Sequence, residues 1–287
     1  MKVKLTAVQQ PVFRDALENL ECTLDILEDN KDTDWLLTPE CAISGYCQPP
    51  VLYSPQSLIT KHVEASIEKI AQRAKELNIG IGIGSSIRGL DGFPYNGLLF
   101  YKDGQEISVY KKRILTKGWE GGGELHSYLA GHVPNYFYMD ELETVKASAL
   151  ICNDIWCMPR SAPEGNPYLP IELVKNGVDI IFVASNCNGN ERDDLAKVWN
   201  ENHLQIFARE FGFFIVHSNS ATTTSHQETD HLQCSSGIIG PDGKWIAKCK
   251  DSGMDYVTAA GVSLTYGTSA YALFQRALVK KNDFVLI

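Results

Sequence analysis

Lys146-Ala-Ser-Ala-Leu-Ile-Cys-Asn-Asp-Ile-Trp-Cys-Met-Pro159 is an apolar run that stops on a thiol, Cys152. Residues 147–151 are short, small and apolar, the composition of a strand buried on both faces, and the polar pair Asn153-Asp154 follows at once. The chain therefore turns directly after the sulfur. A residue on such a turn is held rigidly at a sheet end with the next backbone N–H pointing the same way, which suits a nucleophile beside an oxyanion site. Read in isolation, the same stretch also fits a buried structural cysteine, because free Cys is among the most buried residue types. A free thiol has a pKa of about 8.5 and is only a few per cent thiolate at neutral pH, so a catalytic Cys152 needs a base or a positive field from elsewhere in the chain.

Strands and helices alternate on either side of this stretch. Residues 3–9 read as a strand, and residues 14–30 carry Leu17, Leu20, Leu24 and Leu27 at steps of three and four, an amphipathic helix. Trp35-Leu36-Leu37-Thr38 is a second apolar run, ending in Pro39-Glu40-Cys41. Ile59, Val63, Ile67, Ile70, Ala74 and Leu77 mark a second long helix. Ile79-Gly80-Ile81-Gly82-Ile83-Gly84-Ser85-Ser86 is glycine-rich, but its period is two and it lacks the G-x-G-x-x-G spacing, so it reads as a tightly packed strand and not a dinucleotide loop. Asp103-Gly104 joins two short runs, 98–101 and 107–110, into a hairpin whose second strand leads into Lys111-Lys112-Arg113. After Cys152 the style repeats, with helices near 169–176 and 195–211, strands at 180–184 and 213–217, and a hairpin around Pro241-Asp242-Gly243.

A chain of 287 residues is within reach of one large layered unit, and a single domain over 1–262 is expected, followed by a tail, 263–287. The apolar end of that tail, Phe284-Val285-Leu286-Ile287, has to dock somewhere, a partner subunit being one place. Hydrophobic content of 44% and charged content of 21% are those of a soluble globular protein, and no apolar run approaches the roughly 20 residues that span a bilayer. A net charge of −9 without a basic block argues against a nucleic-acid partner. Eight cysteines are too dilute for a disulfide scaffold, and the N-terminus lacks the apolar core of a signal peptide, so reduced thiols and a cytoplasmic location are expected. Neither the cysteine nor the histidine spacing fits a metal site, and no metal or other cofactor is expected.

Taken singly, Glu40 reads as a solvated loop acid and Lys111-Lys112-Arg113 as a solvated face. Each of Glu40, Lys112 and Cys152 follows an expected strand, however, so one sheet edge can gather them into a pocket. Together they supply what amide cleavage by a thiol needs. Glu40 can take the thiol proton and hand it to the leaving amine, while Lys112 and the backbone N–H of Asn153 steady the oxyanion, the lysine field also favouring thiolate.

The motifs around these residues resemble those of the nitrilase superfamily of carbon–nitrogen hydrolases over roughly 3–262. Pro39-Glu40 with Ser44-Gly45-Tyr46 is similar to the family's glutamate motif, Tyr110-Lys111-Lys112 with Leu115 to its lysine motif, and Ile151-Cys152-Asn153-Asp154 to its cysteine motif. Asn19-Leu20, Asn96, Trp199 with Ala208-Arg209-Glu210, Ser218-Asn219 and residues 237–243 are smaller echoes. The resemblance implies an α+β fold, the four-layer α-β-β-α sandwich, a Glu40-Lys112-Cys152 triad and a second glutamate in the pocket. Glu124 fits that second glutamate better than Glu120, because Tyr128 and Gly131 follow it at the family's spacing. It also implies at least a homodimer formed through the outer helices.

Arg160 stands where many members have glutamate, and Ile114 where many have histidine. Asn153-Asp154 after the nucleophile is similar to amidase and carbamoylase members and unlike the Trp-Glu of true nitrilases, while Asp154-Ile155-Trp156 resembles the glutaminase domains of certain NAD synthetases. The expected substrate is a small amide or N-carbamoyl compound cleaved through a Cys152 thioester with release of ammonia or an amine, its carboxylate paired with Arg160 if that arginine is not simply exposed. Nitrile hydrolysis, glutaminase-type ammonia supply, a catalytically silent binding member and a papain-like Cys-His enzyme are the alternatives.

Overall fold

A computed structural model describes residues 2–46, 60–116, 124–156, 169–189, 193–222, 231–251 and 253–264. In chain order the elements are β1 (Lys2–Pro11), α1 (Ala16–Asp29), β2 (Trp35–Leu37), α2 (Lys61–Glu76), β3 (Gly80–Arg88), β4 (Pro94–Lys102), β5 (Gln105–Lys111), β6 (Phe137–Tyr138), β7 (Lys146–Ile151) and α3 (Asn153–Trp156). There follow α4 (Leu169–Lys175), β8 (Ile180–Ser185), β9 (Asn188–Gly189), α5 (Asp194–Phe211), β10 (Phe214–Thr222), β11 (His231–Leu232), β12 (Gly237–Ile239), β13 (Trp245–Lys248) and β14 (Asp255–Ser263). Local chemistry starts and stops these elements. Asp15, Thr60 and Asp193 cap α1, α2 and α5 by accepting from backbone N–H groups of the first turn, and Gly212 ends α5 at φ 70°. Asp103 and Gly104 both take positive φ, 54° and 74°, as the two-residue hairpin turn between β4 and β5 requires.

Hydrogen bonds run through twelve strands in the order β5-β4-β3-β2-β1-β10-β8-β7-β6, with β14 on β1, and β12 and β13 beyond β10. Only Gln10↔Ser220 and Pro11↔Thr222 join β1 to β10, so the assembly divides there into two sheets. The first holds β14, β1, β2, β3, β4 and β5, the second β13, β12, β10, β8, β7 and β6.

The period of two in each strand sorts side chains between the faces. Trp35 and Phe100 of the first sheet meet Phe137 and Phe182 of the second, with ring centroids 5.7, 5.9, 4.4 and 5.4 Å apart, inside a single buried cluster. The alternate residues Leu36, Ile81, Ile83 and Leu99 face the other way, into a core with Leu20, Ile26 and Leu27 of α1 and Val63, Ile67 and Ile70 of α2. On the far side α5 lies against β10 and β12, and α4 against α5. The layers run helix, sheet, sheet, helix, as the sandwich expectation has it.

The glycine stripe of β3 follows from the inner-face packing. A Cβ at Gly80 would come 2.5 Å from the Trp35 ring, and one at Gly82 2.8 Å from Leu37. β14 was not among the expected elements. It pairs antiparallel with β1 along most of its length, and its half-exposed, register-shifted sequence lacks the alternation that would reveal a strand. The strand ends at Ser263, and the apolar tail end at Phe284 to Ile287 lies outside the described residues. Among the described residues no helix is long and apolar enough to cross a membrane.

Candidate active site

Parallel pairing of β1 with β2 and of β2 with β3, then two antiparallel steps through β4, point β2 and β5 the same way. Parallel steps through β10 and β8 give β7 that direction too. Glu40 lies just beyond β2, Lys112 follows β5 and Cys152 follows β7, so all three sit at carboxyl ends. The expectation that one sheet edge gathers all three is corrected: Glu40 and Lys112 come from the first sheet and Cys152 from the second. The Glu40 N–H donates across to Ser185 O at the end of β8, 3.3 Å away.

The Glu40 turn is clamped on β3. Thr38 Oγ1 accepts from Gly84 N at 3.0 Å, Ile43 N donates to Gly84 O at 3.2 Å, and Ser44 Oγ accepts from Ser86 N at 2.8 Å. At Gly84 a Cβ would fall 1.9 Å from Pro39 O and 3.1 Å from Glu40 Cα, so only glycine lets the turn lie this close. On the Lys112 side, Gly131 N donates to Lys112 O at 2.8 Å, and a Cβ at Gly131 would meet Lys111 O at 2.3 Å. Tyr128 hydroxyl and Ser86 Oγ are 2.7 Å apart. These contacts account for the spacing of Tyr128 and Gly131 after Glu124.

Glu40, Lys112 and Glu124 are each fully buried. Lys112 Nζ lies 2.7 Å from Glu40 Oε1 and 2.7 Å from Glu124 Oε2. Asn96 Nδ2 repeats the bridge, donating to Glu40 Oε1 at 2.7 Å and to Glu124 Oε1 at 2.6 Å, and Thr116 N donates to Glu124 Oε2 at 2.8 Å. Glu40 Oε2 has no hydrogen-bond partner among the described residues. Burial pushes the Glu40 carboxyl up to about 7; Lys112 pulls it down and Glu124 adds to the rise. Burial pulls Lys112 down, but the carboxylates of Glu124 and Glu40 outweigh it and hold the ammonium well above its ordinary range. The cluster is thus a fixed cation beside a carboxyl poised near neutrality, the strength suited to moving a proton in both directions.

Cys152 takes φ 46°, left-handed for a residue with a side chain, between β7 and the short α3. Its N–H donates to Ala184 O at 2.8 Å. Its Sγ lies 3.6 Å from Cys187 Sγ, just past β8. The Cys187 contact, then burial, push the Cys152 thiol well above its ordinary value; the Glu40 charge adds to this, and the opposing Lys112 is outweighed. These surroundings favour the thiol form of Cys152 over the thiolate. Lys112 favours the thiolate, as expected, but the Cys187 contact and burial outweigh it, so attack by this sulfur calls for a base. Asn153 and Asp154, the next two residues, are buried. Arg160 and Glu120 lie outside the described residues.

Two participants escape a reading of the sequence. Asn96, only a minor echo there, bridges both glutamates, and its signal is an amide in the otherwise apolar β4. Cys187 stands just past an apolar strand as Cys152 does, but only the parallel pairing of β7 and β8 shows that the sulfurs meet. Replacing Cys187 by alanine is expected to bring the Cys152 thiol toward its ordinary value and to speed its alkylation by iodoacetamide at neutral pH, read by peptide mass spectrometry. A rate at or below the parent's would mean that burial alone sets the state of the thiol.

Among curated protein sequences none matches this chain. Similar solved structures include a cysteine variant of the Nesterenkonia AN1 amidase from the nitrilase superfamily, 17% identical, covering 99% of this chain and 97% of that one at a TM-score of 0.71. A glutamate variant of the amidase from Nesterenkonia sp. AN1, with the acetamide moiety of fluoroacetamide added covalently at its active-site cysteine, gives 17%, 99%, 97% and 0.72. Glutamine-dependent NAD+ synthetase from Acinetobacter baumannii is 19% identical at a TM-score of 0.70; the match covers 99% of this chain and 52% of that one, so the chain spans about half of the synthetase. Such low identities speak for the fold. The carbon–nitrogen hydrolase family model matches residues 4–269, and the chain, with its α-β-β-α sandwich, belongs to the carbon–nitrogen hydrolase family.

Proposed function

We propose that the protein hydrolyses the C–N bond of a small amide or N-carbamoyl compound through a thioester on Cys152. The observation that carries this reading is the placement of Cys152, Glu40 and Lys112 at the carboxyl ends of β7, β2 and β5, with the buried Lys112 ammonium 2.7 Å from carboxylate oxygens of both Glu40 and Glu124. Glu40 takes the proton as Sγ attacks the carbonyl carbon. The Lys112 ammonium and the Asn153 N–H receive the oxyanion of the tetrahedral intermediate. The C–N bond breaks as Glu40 returns its proton to the departing nitrogen, leaving an acyl thioester and ammonia or an amine. Water then attacks the thioester with Glu40 again as base, and collapse releases the acid and restores the thiol. Glu124 and Asn96 hold Lys112 and Glu40 in register throughout.

The amidase with the acetamide moiety of fluoroacetamide added covalently at its active-site cysteine supports a reactive thiol in an amide-binding site, and the glutamine-dependent synthetase keeps glutamine among the substrates to be tried. A substrate carboxylate rests on Arg160 alone. An ammonia-release screen over linear amides, N-carbamoyl amino acids, glutamine and nitriles tests the assignment, beside a Cys152→Ala control expected to lose on the order of 10³ to 10⁶ in turnover. Because Glu40 must be ionised to act, and its carboxyl is raised to about 7, kcat/KM is expected to fall as pH drops through neutrality. Turnover of nitriles alone, or activity that survives in the alanine variant, would refute the thiol amidase; undiminished kcat/KM down to about pH 5 would remove Glu40 as its base. A preference for uncharged amides that persists in Arg160→Ala would remove the carboxylate.

We also propose that the protein works as at least a homodimer. Leu195, Val198, Trp199 and Ile206 are exposed along one face of α5 at helical spacing, an apolar stripe on the outermost layer. Sedimentation showing a stable monomer at micromolar concentration would refute it.

A further inference from the structure

Asp154 is buried, and its carboxylate receives a donor in each of four directions. Oδ1 accepts from Arg113 N at 3.0 Å and from Ile114 N at 2.6 Å; Oδ2 accepts from the Tyr110 hydroxyl at 2.8 Å and from Ile151 N at 3.0 Å. Three of these donors flank Lys112 on either side, at positions 110, 113 and 114. The fourth is the residue before Cys152. One side chain therefore grips the lysine segment of the first sheet and the nucleophile turn of the second, which are otherwise carried by different sheets.

We propose that Asp154 is a positioning residue that fixes the Cys152 turn against the Lys112 segment, so that the sulfur and the ammonium reach the same carbonyl group. The proposal rests on the thiol-hydrolase reading above and goes beyond it by assigning the residue that sets the register between the two halves of the site. Cys152 itself is in an uncommon left-handed conformation, which persists only where surrounding contacts determine it. The Ile151 bond to Asp154 Oδ2 holds the residue immediately before it. A carboxylate suits this place because it is acceptor-only and all four partners are donors. An amide cannot replace it, since its NH2 would face at least one backbone N–H whichever way it is turned.

Asp154→Asn in the full chain tests the assignment with two readouts on protein shown to be folded by near-UV circular dichroism. The expected result is a fall in kcat of about 100-fold with KM changed by less than about threefold, the scale of a misplacement of roughly 1 Å between reacting groups. The second readout is alkylation of Cys152 by iodoacetamide, expected to slow as the sulfur leaves the field of Lys112; it does not depend on which compound is hydrolysed. Parental kcat, a change confined to KM, or unaltered Cys152 alkylation in a folded variant would overturn the proposal. Should Asp154→Asn fail to fold, Tyr110→Phe removes a single donor: a smaller loss in the same direction supports the assignment, and parental values of both readouts overturn it. Slower alkylation in a protein whose parent hydrolyses none of the screened amides would sink the function reading and leave the positioning role standing.

Discussion

The Lys112 ammonium lies 2.7 Å from a carboxylate oxygen of Glu40 and 2.7 Å from one of Glu124, with all three side chains buried. One cation between two acids leaves a buried excess of negative charge, which hydrogen bonds from Asn96 and Thr116 offset in part. The Glu40 carboxyl rises to about 7, while Lys112, attracted by both acids, keeps its charge. Removing one partner of a buried pair costs about 3–5 kcal/mol, against about 0–1 kcal/mol for an exposed pair, so the cluster constrains the backbone around it far more than the surface ion pairs do.

The surrounding fold can be understood as a means of holding that cluster beside a thiol. Gly84 lets the Glu40 turn lie on β3 with no room for even a methyl group, and Gly131 does the same for the segment that brings Glu124 back to Lys112. Backbone bonds from β8 reach both sides of the site, through Ser185 O to Glu40 and through Ala184 O to Cys152. The four aromatic rings between the sheets fix their separation at the level below. The Cys152 sulfur, whose thiol form its surroundings favour, thereby stands at the carboxyl end of β7 as Glu40 and Lys112 stand at those of β2 and β5.

Much of this is legible in the sequence because burial and chemistry coincide. An apolar run that ends on a polar or ionisable residue locates Glu40, Lys112 and Cys152 at strand ends, and alternating residues such as Trp35, Leu36 and Leu37 sort into the two faces of a sheet. What is not legible is set by pairing between distant segments. Periodicity cannot say that Cys152 belongs to a different sheet from Glu40, that Cys187 lies beside it, or that Asp154 reaches back to residues 110–114. It also cannot reveal β14, whose stability comes from hydrogen bonds to β1 and whose own pattern is irregular. The sulfur that opposes the lysine field is likewise hidden, because Cys187 is 35 residues away in the chain.

The central claim is that Cys152 carries the acyl group during turnover, with Glu40 moving its proton. Rapid acid quench during hydrolysis of a small amide, followed by mass spectrometry of the peptide containing Cys152, tests this most directly. The account requires the acyl moiety of the substrate on Cys152 in the first turnover, formed together with one equivalent of ammonia or amine. Ammonia released at the full rate with Cys152 unmodified, or an acyl group on a different residue, would contradict it.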